Sequence, residues 1–232
     1  CYTLIGEEKA KMKYVELHAR SAFSFLEGAA NPEDLVNAAA ELGLPAIAQL
    51  DRDSLSGAPR FHMAARKLGV KAHIGAEVTT VDGCRYPLLA STRTGYQNLC
   101  RLISSMKLRS KKGEAAATHE ELNRYSEGLI CLTGGPEGPL AHAFRQGGEA
   151  ARQMLEHLIR IYGRQNVYVE LQRHFHREEE ARNQAAVALA RSFKLPLLAT
   201  NGVSYANPAH RELLDVLTCV RHKVTLETAG RL

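Results

Sequence analysis

Short apolar runs alternate along this chain with longer stretches whose apolar positions recur at helical spacing. Tyr14-Val15-Glu16-Leu17-His18 alternates as a half-buried strand does, and the runs Pro45–Leu50, Val70–Val81, Tyr86–Ala90, Leu129–Leu132, Val167–Leu171 and Leu195–Ala199 predict further strands. Between them the punctuation is helical. Asn31 is a cap, Pro32 takes the first helical position, Glu33 and Asp34 suit the dipole, and Leu35, Ala38, Ala39 and Leu42 share a face that stops at Gly43. Ala58–Leu68 closes on Gly69, Thr94–Met106 carries Leu99, Leu102, Ile103 and Met106, and Thr118-His119-Glu120-Glu121 is a capping box. Helices are also predicted over Gly148–Tyr162, Glu178–Phe193 and Ala209–Val220, with Leu35, Leu42, Leu68, Leu102, Leu155, Leu158, Leu189 and Leu217 as core leucines. Strand-helix alternation with short Gly or Pro breaks predicts βα units. Lys107–Ala117 interrupts the rhythm and is expected to be an exposed loop, and Gly134-Gly135-Pro136-Glu137-Gly138-Pro139 a turn.

At 232 residues the chain suits one large α/β domain, since ~250 residues is typical of an eight-stranded barrel and somewhat fewer suit seven. Residues 1–13 are polar without clear periodicity and are expected to be a leader ahead of a domain spanning 14–232. The net charge of +5 is compatible with a polyanionic partner but falls short of a strongly basic nucleic-acid binder. Five scattered cysteines without a Cys-x-x-Cys arrangement predict reduced thiols and a cytoplasmic protein. No apolar run approaches the ~18 residues of a membrane span, so no membrane partner is expected. Starting at Cys1 and ending just after a predicted helix, the chain is expected to be a piece of a longer protein, with the next segment beginning near its C-terminal end.

Candidate chemistry gathers where the strands end, which is where an α/β barrel keeps its site. The segments are Leu17-His18-Ala19-Arg20-Ser21, Leu50-Asp51-Arg52-Asp53, Gly75-Ala76-Glu77 and Ala199-Thr200-Asn201-Gly202-Val203-Ser204-Tyr205. A polynuclear metal centre would want histidines and carboxylates at these points. Arg20 and Arg52 stand at two of them, and a guanidinium carries no lone pair for a metal.

These segments resemble the PHP (polymerase and histidinol phosphatase) domain, in particular the N-terminal domain of bacterial error-prone C-family DNA polymerases. The resemblance extends to Phe23-Ser24-Phe25-Leu26-Glu27-Gly28, Gly57-Ala58-Pro59-Arg60-Phe61-His62, Gly95-Tyr96-Gln97-Asn98-Leu99-Cys100-Arg101-Leu102 and Val169-Glu170-Leu171-Gln172-Arg173-His174. Val220-Arg221-His222-Lys223 points to the error-prone branch. The resemblance implies a distorted seven-stranded (β/α) barrel. It also implies that His18, Glu27 and Glu77 are remnant metal positions, while Arg20, Arg52, Arg85, Gly135, Gly202 and Ser204 replace ligands. On this reading the domain has no catalytic residue, metal or cofactor of its own. It braces a polymerase acting in DNA replication, repair and translesion synthesis, whose magnesium belongs to absent segments and whose DNA is met through the full-length protein. Arg20 and Arg52 are expected to fill the former metal hollow and pair with Glu77 and its acidic neighbours. The rival is an active metal-dependent phosphoesterase or 3′–5′ exonuclease using His18, Glu27, Asp51, Glu77 and the His174/His176 pair.

Other candidates carry blander readings. His174 and His176 precede a helix without a third ligand implied by spacing, which favours a solvated loop. Lys107, Arg109, Lys111 and Lys112 offer a contact to nucleic acid or a neighbouring domain, against a solvated linker.

Overall fold

A computed structural model describes residues 14–230, so the predicted leader lies outside the described residues. The elements run β1 (Glu16–Ala19), α1 (Pro32–Glu41), β2 (Ala46–Arg52), α2 (Ala58–Leu68), β3 (Lys71–Thr79), β4 (Arg85–Ala90), α3 (Arg93–Arg109), α4 (His119–Arg124), β5 (Leu129–Leu132), α5 (Pro139–Gln146), α6 (Gly148–Tyr162), β6 (Val167–Leu171), α7 (Arg177–Phe193), β7 (Leu197–Ala199) and α8 (His210–His222). The strands form one seven-stranded sheet in chain order, as the βα rhythm implied. It curls round on itself: Arg20 N donates to Val203 O at 2.8 Å and Val203 N to His18 O at 3.0 Å, joining β1 to the segment after β7. Leu50 and Leu89 close over β3 at Gly75, where an added Cβ would lie 3.2 Å and 3.1 Å from their side chains.

One strand breaks the parallel rule. β3 and β4 form a hairpin, so β4 pairs antiparallel with both β3 and β5 while every other pairing is parallel. No helix separates these two strands, because only Thr80–Cys84 connects them. The reversal puts the start of β4, at Arg85, on the same edge as the C-terminal ends of its neighbours.

Most of the buried apolar surface lies between this sheet and its helices. The largest cluster joins Val78, Tyr86, Leu88, Leu129 and Val167 to Leu99, Leu102, Met106, Leu155, Leu158 and Ala190. A second joins Ala19 and Ile47 to Leu35, Val36, Ala39, Phe61 and Ala65.

Four expectations need correction. α3 continues through Lys107 to Arg109, so part of the expected loop is helix. α5 was not foreseen: eight residues long, it begins at Gly138-Pro139 without a side-chain cap, and its face of Leu140, Ala141 and Ala143 is too short to set a period. Leu42 and Leu68 are 75% and 43% exposed, because each lies at the C-terminal end of its helix where the chain turns back towards the sheet. Leu217 is only partly buried, whereas Leu35, Leu102, Leu155 and Leu158 are fully packed.

Candidate functional site at the strand ends

His18, at the end of β1, is completely buried between two carboxylates. Its Nδ1 is 2.7 Å from Glu170 Oε1, at the end of β6, and its Nε2 is 2.8 Å from Glu77 Oε1, near the end of β3. Burial opposes charge on the ring, but Glu170 and Glu77 outweigh it and lift its pKa to about 10. The ring is therefore an imidazolium at neutral pH, donating to both neighbours.

Arg20 completes this group. Its Nε donates to Glu77 Oε2 at 2.6 Å and its Nη2 to Glu77 Oε1 at 2.9 Å, a bidentate pair. Burial alone would raise the Glu77 pKa, yet Arg20 and His18 hold it well below the usual carboxylate range. Glu170 is also lowered against its burial, chiefly by His18, with Thr200 Oγ1 and Gln172 Nε2 donating to Oε1.

A second group surrounds Glu27, on the loop after β1. Arg85 grips its carboxylate through two nitrogens at 2.6 and 2.9 Å, and Arg52 Nη1 donates at 2.6 Å. Arg221, near the end of α8, approaches Oε1 at 3.2 Å. Arg85 Nη1 also meets Glu137 at 2.7 Å. Burial disfavours the Glu27 charge, and the arginines overcome it and lower the pKa. Asp53, 3.7 Å from Arg52, instead accepts from the backbone and hydroxyl of Thr79.

The expected arginine pairs therefore form, Arg20 on Glu77 and Arg52 on Glu27. Asp51 is not among their partners. Its buried carboxylate is enclosed by donors from Ser21 N, Ser21 Oγ, Ser24 Oγ and Gln49 Nε2. Gln172 lies against two glycines that the resemblance implied were ligand replacements: a Cβ at Gly135 would lie 2.4 Å from its Oε1, and one at Gly202 would lie 2.9 Å from its Nε2. The amide fills the space between those glycines. Ser204 contributes its carbonyl to Ala29 N at 2.8 Å.

The outlying candidates stand apart from this group. His174 lies between Glu179 Oε1 and Asn201 O, each at 2.8 Å, and Glu179 also accepts from the backbone of His174 and His176. Both histidines are exposed in the loop before α7, as the solvated-loop reading has it, with the His174 ring held by Glu179 and Asn201. Arg109 is occupied by Glu121 and by Ala116 O, while Lys111 and Lys112 are exposed between α3 and α4. Glu170, Gln172, Glu137 and Arg221 escaped the sequence reading as site residues. Glu170 carried a usable signal, an acid ending an apolar strand run as Glu77 does; Arg221 carried none, since its role depends on where α8 returns.

The PHP domain family matches residues 16–174. The chain belongs to the PHP family. Its relatives include the error-prone DNA polymerase of Mycolicibacterium paratuberculosis, 35% identical over 96% of this chain and 22% of that protein. That of Anaeromyxobacter sp. strain K is 37% identical over 94% of this chain and 19% of that protein. The PHP chain thus spans about a fifth of the length of these relatives. Among solved structures it is similar in fold to a metal-dependent phosphoesterase of Bifidobacterium adolescentis, with a TM-score of 0.59, 14% identity and coverage of 85% of this chain and 90% of that one. An amidohydrolase of Chromobacterium violaceum matches with a TM-score of 0.55, 12% identity and coverage of 82% and 87%. Among the described residues no helix is long and apolar enough to cross a membrane.

Proposed function

We propose that this is a non-catalytic PHP domain that braces an error-prone DNA polymerase acting in replication, repair and translesion synthesis. The observation that carries this reading is the commitment of His18 and Glu77: both imidazole nitrogens face carboxylates, and both oxygens of Glu77 face donors. The residues present do not fit a metal centre. Among the described residues no three His, Cys, Asp or Glu side chains are arranged to hold a metal ion. An ion entering at Glu77 would have to displace a guanidinium that cannot lose its proton, against a repulsion of several kcal/mol at roughly ε ≈ 20.

Nucleotide transfer and its magnesium then belong to the remainder of the full-length polymerase. Lys107, Lys111 and Lys112 are exposed basic side chains suited to DNA or a neighbouring domain, and Arg109 serves α4 through Glu121. In the full-length protein, Glu77→Gln is expected to leave incorporation rate and misincorporation frequency unchanged, whereas removing the PHP domain lowers thermal stability. Matched polymerase assays and melting curves test this. A large fidelity change with unaltered melting would reveal chemistry at the site and overturn the reading.

A further inference from the structure

α8 is a helix with almost nothing beneath it. Of its thirteen residues only Cys219 is buried, and Arg221 reaches Glu27 from its last turn. A helix of this length is marginal in water on its own and normally owes its stability to packing of an apolar face. The domain half-buries Leu214 and Leu217 of α8, but a second apolar edge points outward: Leu213, Val216 and Val220 are 48%, 43% and 56% exposed, at spacings that align them on one stripe. Past the helix, where the chain turns at Lys223, Val224 and Leu226 are also exposed, 37% and 60%. Exposed Glu212 borders it on one side, while the exposed Arg211 and Asp215 lie on the far side of the helix. An apolar centre with a charged edge is the make-up of a protein interface.

We propose that this stripe is the surface on which the PHP domain docks the remainder of its own polymerase chain. The inference rests on the bracing role proposed above and gives it a location. The occupant follows from proportion. The chain spans only 22% of the polymerase relatives it matches, so a partner surface carried on the same polypeptide would face the stripe at an effective concentration no separate molecule reaches. The chemistry required is an apolar patch with a basic group set to meet Glu212 at its edge. α8 also links this surface to the arginine cluster, because Arg221 leaves the same helix to meet Glu27.

The test uses the full-length polymerase with the double substitution Val216→Gln/Val220→Gln. Glutamine is a better helix former than valine, so a loss does not come from helix propensity, and the same double variant in the isolated PHP domain reports any loss of packing within the domain. Leu42→Gln, at the exposed leucine that follows α1, is the control. The expected result is a melting temperature lowered by several degrees in the double variant alone, with amide exchange over residues 210–226 at least tenfold faster than in the unsubstituted protein. Unchanged melting and exchange would overturn the proposal. So would loss of a dimer on substitution, seen by mass photometry, which would assign the stripe to a second copy. Phosphoester hydrolysis by the same preparations would defeat the non-catalytic reading while leaving the docking result intact, so the two failures are distinguishable.

Discussion

The behaviour of His18 follows from its two neighbours. Its folded pKa of about 10 lies above an unfolded value near ~6.5, so its contribution to stability is complete below ~6.5 and disappears as pH rises through about 10. Glu77 and Glu170 act in the opposite sense. Their depressed pKa values add stability above the ordinary carboxylate range and lose it as the carboxyls protonate in acid. The domain should therefore be most stable between these limits and lose on the order of a few kcal/mol from His18 between pH ~6.5 and ~10. Melting curves across that interval check this, with His18→Gln expected to flatten the slope; parallel profiles for the two proteins would refute the assignment. The arginines at 20 and 52 were legible from sequence because side-chain chemistry alone bars them from binding a metal. The direction of Asp51 was not, since Ser21, Ser24 and Gln49 become its partners only when the loop after β1 folds over β2.

At the scale of elements, apolar period and caps placed the strands and most helices, and they failed where those signals were thin. α5 is short and lacks a side-chain cap, and α3 ran past the point where charged residues seemed to end it. The β3–β4 hairpin was legible as two strand runs without an intervening helix, but not as the reversal that carries Arg85 to Glu27. Close approach of elements sets a sharper condition than any single cap. Gly95, in the first turn of α3, lies so near the chain entering β5 that a Cβ would sit 1.9 Å from Gly128 O. The obstacle is backbone and cannot rotate away. Gly95→Ala is accordingly expected to cost roughly 1–3 kcal/mol, read as a lower melting temperature, despite the better helix propensity of alanine. A neutral or stabilising result would mean that α3 and β5 can separate without loss.

At the scale of the whole molecule, a complete core surrounds a strand-end site built from ion pairs. Two carboxylate centres, Glu77 with His18 and Arg20, and Glu27 with Arg52, Arg85 and Arg221, occupy the edge where the fold positions chemistry. A complete core beside a site committed to ion pairs is what the proposed bracing role would display, since a fold does not fix an activity. The most direct measurement is the metal content of the protein purified without chelator, taken together with phosphoesterase and 3′–5′ exonuclease assays in added zinc or manganese. The account predicts no stoichiometric metal and no hydrolysis. Two or more tightly bound metal ions per chain, with hydrolysis abolished by Glu77→Ala, would contradict it.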